Sequence, residues 1–243
     1  MNLEIRNNDA YVLVCPDVGG AIARFTWRDI DILRLASDVA IAEKLVDQMG
    51  AYPLIPYSNR IGFGKLEVGG ETHTLRANFL PEPHPIHGFG WQRGWDVVST
   101  SDASVQLHLA HMPDSDWPFA CEALQLLELA GGVLTFSLSV RNTDSRLMPA
   151  GLGFHPFFPL VPGVRLQSEW TSMWTMNSAK LPVECVAAPP ETNYTQLRLV
   201  EGWTVDHCFS GWARSALLEY PTHRVELTAR KACSQIVCFA PND

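Results

Sequence analysis

Four short segments of the chain hold the side chains whose types could do chemistry. They are PLIPYSNRIGFG around Asn59 and Arg60, HPIHGFGW around His84, His87 and Trp91, GLGFHPFFP around His155, and VDHCFSGW around Asp206. Each places a few polar groups among apolar residues, prolines and glycines, as a pocket for a small, hydroxyl-rich molecule requires. Arg60 carries five N–H donors in a rigid fork, suited to hydroxyls or to an anion; it reads equally as a loop arginine paired with a surface carboxylate. His84 and His87 stand three apart on one loop. As a metal site they need a third ligand, and His108 and His111 sit in contexts without a motif. Alternatively His87 turns its imidazole to a ligand while Trp91 forms an aromatic wall, or it is an ordinary hydrogen-bonded loop histidine. Arg93, just after Trp91, is the one nearby cation suited to a phosphate.

His155 is a single titratable group packed among aromatics, prolines and glycines. Burial disfavours its imidazolium, whereas a neighbouring carboxylate favours it. Two readings follow, a general acid working near neutral pH or a core histidine satisfied by backbone. Asp206 opens a short apolar run. It serves either as a carboxylate that accepts from two adjacent hydroxyls or as a turn residue capping local amides.

The elements that must position these groups read as strands. Tyr11 to Cys15 is apolar and precedes the turn Pro16-Asp17-Val18-Gly19-Gly20. KLEV and ETHTL flank Gly69-Gly70, a pair able to take positive φ in a tight hairpin. LLEL and VLTFSLSV flank Gly131-Gly132 in the same way. Leu134, Phe136, Leu138 and Val140 alternate with polar residues, as do Val105, Leu107 and Leu109, so these strands have one buried face. Helical periodicity is confined to 37–49, with Ser37 or Asp38 as cap. Prolines and glycines are spread along the chain and form no linker. The expectation is an all-β fold, a large antiparallel β-sandwich spanning 1–243 as a single domain.

Composition narrows the function classes. The 243 residues carry a net charge of −8, which argues against nucleic acid and anionic membrane surfaces, since both need Lys/Arg clusters. No run of about 18 apolar residues suggests a membrane span, and the N-terminus lacks a signal-peptide pattern. Cys15, Cys121, Cys185, Cys208, Cys233 and Cys238 are scattered without zinc spacing, so they read as reduced, mostly buried thiols of a cytoplasmic protein.

Taken together and in order, the four motifs resemble the aldose 1-epimerase (galactose mutarotase) family. PYSNRIGFGKLEVGGETHTL is similar to that family's NRI segment and following hairpin. HPIHGFGWQRGW resembles its HGF/HGG motif with a downstream Trp. The run from LELAGGVLTFSLSVRNTD to MPAGLGFHPFFP resembles the strands leading to its catalytic histidine, and VDHCFSGW resembles its Asp-bearing strand. The resemblance covers nearly the whole chain. It implies a β-sandwich with a sugar cleft, no metal and no organic cofactor, and interconversion of the α and β anomers of a free aldose such as galactose or glucose. His155 matches the acid that protonates the ring oxygen. Arg60, His87 and Asp206 match sugar-binding residues, Asn59 accompanies Arg60, and Trp91 is the downstream Trp. In the family a Glu on a late strand removes the C1 hydroxyl proton. Here Ser234–Asp243 resembles the strand and turn that precede it, so the base and the last strand are expected to be missing; a second register places Ala240 at the Glu position. No motif supports Glu184, Glu191 or Glu226 as a substitute. A non-catalytic sugar-binding member of the same fold and a phosphosugar epimerase relative are the alternatives. Monomer and homodimer are both open.

Overall fold

The computed structural model describes residues 1–240. Part of the turn read over 240–243 therefore lies outside the described residues. The chain is mostly strand, and its only α-helix among the described residues is Asp38–Ala42. Contacts group it into two compact units, Met1–Pro159 and Leu160–Asp243.

In the first unit five strands run in the order Leu3–Arg6, Ala10–Cys15, Ala21–Trp27, Ala51–Leu54 and Gly153–Pro156, with Ile30–Asp31 added to Ala21–Trp27. A second sheet orders Val133–Asn142, Cys121–Ala130, Ser104–His111 and Asp96–Ser101. The two sheets face one another. Ile5, Val12, Val105, Leu107 and Leu127 are fully buried, and alternate residues of each strand supply them, as period-two patterning requires. Direct bonds join the layers. Gln125 Nε2 donates to the Gly20 carbonyl at 2.7 Å, and Phe136 meets Phe154 edge to face at 5.1 Å.

The turn glycines behave as their chemistry dictates. Lys65–Val68 and Glu71–Thr74 pair with Val68 opposite Glu71, joined by Gly69 and Gly70 at φ 61° and 85°. At the Gly131-Gly132 turn only Gly131 takes positive φ, at 57°; a Cβ on Gly132 would lie 3.1 Å from Trp27 Nε1. The helical segment is shorter than its periodicity suggests. The Ser37 hydroxyl caps Asp38–Ala42 by accepting from the Ala40 amide at 3.0 Å. Lys44 then enters the left-handed region at φ 57°, and only a 3-10 turn, Val46–Gln48, follows.

The second unit holds two four-stranded sheets. One orders Arg198–Leu199, Arg165–Ser168, Ser215–Glu219 and Arg224–Thr228; the other orders Pro182–Ala187, Ser172–Met176, Val205–Ser210 and Gln235–Ala240. Trp170, Met173, Tyr194, Val205, Phe209 and Trp212 form its core. Trp212 Nε1 donates to Ser168 Oγ at 3.0 Å, which satisfies a buried indole. All six cysteines are free thiols; Cys15 and Cys121 are buried, whereas Cys185 and Cys233 are exposed, against the expectation of mostly buried thiols. No helix of the described residues is long and apolar enough to cross a membrane.

Candidate functional site

Strand pairing places His155. Within Gly153–Pro156 it stands opposite Tyr52 of Ala51–Leu54, so both rings project from the same face, with centroids 5.0 Å apart. Phe154 points to the other face and meets Phe136. Phe157 stacks on His155 at 4.3 Å and 16°, and Arg34 lies 3.8 Å over Phe157. Two groups cannot occupy one face of a single ring at these distances. Arg34 and His155 therefore flank Phe157 on opposite sides.

His87 comes from a loop folded onto the segment after Leu54. Ile55 donates its amide to the His87 carbonyl at 3.2 Å, and its own carbonyl accepts from Phe89 and Gly90 at 2.9 and 3.0 Å. Asn59 and His87 both take left-handed φ, 64° and 63°, an uncommon conformation for non-glycine residues. They hold one another there. The His87 amide donates to the Asn59 carbonyl at 2.9 Å, and the Asn59 amide donates to His87 Nδ1 at 3.1 Å. Nδ1 is thus an acceptor, so neutral His87 carries its proton on Nε2 and offers an N–H donor. Asn78 fastens the loop on both sides of His87: its Nδ2 donates to the Ile86 and Gly88 carbonyls at 2.8 Å each, and its Oδ1 accepts from the Ile86 amide at 2.8 Å.

The His87 and His155 rings meet at right angles, 5.4 Å between centroids, and both side chains are half-buried. Arg60 follows directly. Its Nη1 donates to Asn59 Oδ1 at 3.3 Å, and its Nη2 pairs with Glu82 Oε2 at 3.2 Å. Trp91 is not an open wall. It is 2% exposed, its Nε1 donates to the Gly88 carbonyl at 3.0 Å, and it backs Tyr52 and His87 at 5.4 and 6.1 Å. Asp206 belongs to the second unit, half-buried on Val205–Ser210 opposite Phe239. Among the described residues no three His, Cys, Asp or Glu side chains gather as metal ligands. His84 is fully buried, with Nδ1 accepting from the Phe63 amide at 2.9 Å. Arg93, the cation considered for a phosphate, is held by Asp114 and Asp116 at 2.6 and 2.9 Å.

Both imidazoles are held neutral. Burial, then the charges of His155 and Arg60, push His87 down to about 3. Burial, then Arg34, push His155 down to about 4. In the unfolded chain histidine titrates near 6.5, so acid protonates the unfolded state first. The stability these neutral groups contribute is intact above about 6.5 and declines as pH falls toward 4. We expect the thermal midpoint to fall through that window and the fall to be shallower in a His87→Gln, His155→Asn double variant. An equal slope in both proteins would show that these rings are not the groups responsible.

The structure brings His87, His155, Asn59 and Arg60 of the sequence motifs together, with Phe157 of the same motif as His155, and it adds Tyr52, Arg34, Asn78 and Glu82, which sequence reasoning missed. Tyr52 was the one within reach: it alternates with Leu54 just ahead of the PYSNR segment. Arg34 and Asn78 act through main-chain carbonyls far along the chain, and no motif marks them.

Comparison with known proteins bears on the family and the fold. The family model for aldose 1-epimerase matches residues 1–243. The protein YphB of Escherichia coli K12, itself uncharacterized, is 31% identical over 207 residues, covering 84% of this chain and 69% of its own. A crystal structure from Escherichia coli K12, described as a candidate aldose 1-epimerase, superposes with a TM-score of 0.91 at 25% identity, over 100% of this chain and 81% of that one. A galactose mutarotase-like protein of Clostridium acetobutylicum has the same fold, with a TM-score of 0.85 at 22% identity over 96% and 79% of the two chains. So does a galactose 1-epimerase of Lactobacillus acidophilus, at 0.73 and 17% over 92% and 74%. The family match along the whole sequence places this chain in the aldose 1-epimerase family.

Proposed function

We propose that this protein interconverts the α and β anomers of a free aldose, with galactose and glucose as the first sugars to test. The observation that carries the reading is the pair of imidazoles 5.4 Å apart at right angles, with Arg60 tied to His87 through Asn59. Neutral imidazoles and a guanidinium are donors matched to sugar oxygens. His155, in its protonated form, delivers a proton to the ring oxygen while the C1 hydroxyl gives its proton to a base, a role for which no carboxylate among the described residues is assigned. The ring opens, C1 turns about the C1–C2 bond, and closure on the other face gives the other anomer. His87, through Nε2–H, and Arg60 hold the sugar. Asp206 is assigned a sugar-binding role by the family resemblance alone. No step needs a redox group, because only protons move.

Polarimetry of freshly dissolved α-D-galactose and α-D-glucose tests this directly. The protein is expected to speed relaxation above the buffer rate, and Asp206→Ala to weaken sugar binding. Saturable binding without acceleration would instead establish a sugar-binding member of the fold. Neither binding nor acceleration would remove the sugar reading.

A further inference from the structure

Arg60 does not stand free beside the imidazoles. Its guanidinium pairs with Glu82 at 3.2 Å, and the two side chains are only 12% and 14% exposed. Glu82 is thereby linked to the imidazole pair through Arg60 Nη1 to Asn59 Oδ1 and Asn59 N–H to His87 Nδ1. The other cations near the loop are engaged elsewhere. Arg93 is bound by Asp114 and Asp116. Arg34 donates to the Asp47 and Met49 carbonyls and lies behind the Phe157 ring. The charge of Arg60 is the one that an anionic sugar would seek, and a carboxylate of the protein already cancels it.

We propose that Glu82 is a specificity-determining residue, which neutralises Arg60 and keeps the site for uncharged sugars while rejecting those that carry a carboxylate or phosphate. The proposal rests on Arg60 touching the sugar, as in the reading above. An anion entering beside Arg60 must either displace Glu82 or lie close to a like charge in a poorly solvated place, and both are unfavourable. A neutral sugar meets neither obstacle: its hydroxyls accept from the remaining guanidinium N–H groups and donate to the carboxylate.

The test compares D-galactose with D-galacturonate, which differ at C6 by a hydroxymethyl against a carboxylate, in titrations of the whole chain at low salt. Wild type should bind galactose and discriminate against galacturonate. Glu82→Gln should bind galacturonate about 10–100-fold more tightly than wild type does, the worth of one charge-assisted bond to a released guanidinium. Glu82→Asp, which keeps the charge, should stay close to wild type. A Glu82→Met, Arg60→Met double variant, which removes both charges, should lose the gain. Equal binding of the two sugars by wild type overturns the proposal, and that arm needs no variant to fold. So does a folded Glu82→Gln protein with no gain for galacturonate. If wild type binds no neutral sugar, the functional reading fails separately. The galacturonate arm then decides alone: binding by Glu82→Gln but not by the double variant sustains the role of Glu82, and binding by neither overturns it.

Discussion

Replacing His155 with Ala should lower kcat for anomer interconversion about 10²–10⁴-fold, the usual contribution of one positioned general acid. The fold should survive, because the ring's stacking partners Phe157 and Tyr52 remain packed against Arg34 and Trp91. A signature beyond the loss of rate distinguishes a proton donor from a packing residue. The free protein holds His155 down to about 4, by burial and then by Arg34. Since kcat/KM reports the free enzyme, it should climb as pH falls from 8 toward 5, and the climb should vanish in His155→Asn. A folded His155→Ala protein with the wild-type rate would show that the ring only fills space. A flat wild-type profile with a slow variant would show instead that the neutral N–H makes the transfer.

Gly88→Ala should be the most damaging small substitution in the site. Gly88 has φ of 69°, and a Cβ there would lie 2.0 Å from the Ile55 carbonyl oxygen. The backbone cannot yield, because Phe89 and Gly90 both donate to that same oxygen and the Gly88 carbonyl is held by Asn78 and Trp91. We expect a loss above about 3 kcal/mol, from strain and displaced packing together. In a chain of this size that lowers the thermal midpoint by about 10 °C or reduces soluble yield. Gly69→Ala is the matched control. Its φ is 61° with nothing within 4 Å of the added carbon, so it carries only the left-handed penalty of about 1–2 kcal/mol. Equal midpoints for the two variants would show that the loop moves aside and that the close approach to Ile55 is not required.

The contrast between these glycines explains what the sequence could disclose. Gly69-Gly70 and Gly131 act through their own dihedral angles, so their hairpins are legible from a handful of adjacent residues. Ser37 is legible for the same reason, since its hydroxyl caps an amide three residues on. His155 and Tyr52 face one another because two strands separated by a hundred residues pair in one register, and no local pattern encodes that register. Trp91 shows the opposite error. An aromatic beside glycines looks available to a ligand, yet its indole N–H finds the Gly88 carbonyl and the ring goes inward. Glu82 was passed over because a carboxylate between two prolines looks like a surface residue until Arg60 is folded against it. The grouping of contacts into two units is likewise silent in composition, since prolines and glycines are spread evenly across the boundary near Pro159.

The mutual grip of Asn59 and His87 works as a buckle. The chain leaves at one and returns at the other, and two backbone-anchored bonds fix that crossing, with Asn78 fastening the returning loop from within the excursion. The hairpin of Lys65–Val68 and Glu71–Thr74 falls inside the closed excursion, and a Cβ added at Gly69 or Gly70 of its tip would meet nothing within 4 Å. The length of its tip is therefore uncoupled from the placement of the imidazole. This is where the chain can be lengthened, or made to carry a fused label or an attachment point to a surface, while the chemistry a few residues away keeps its geometry.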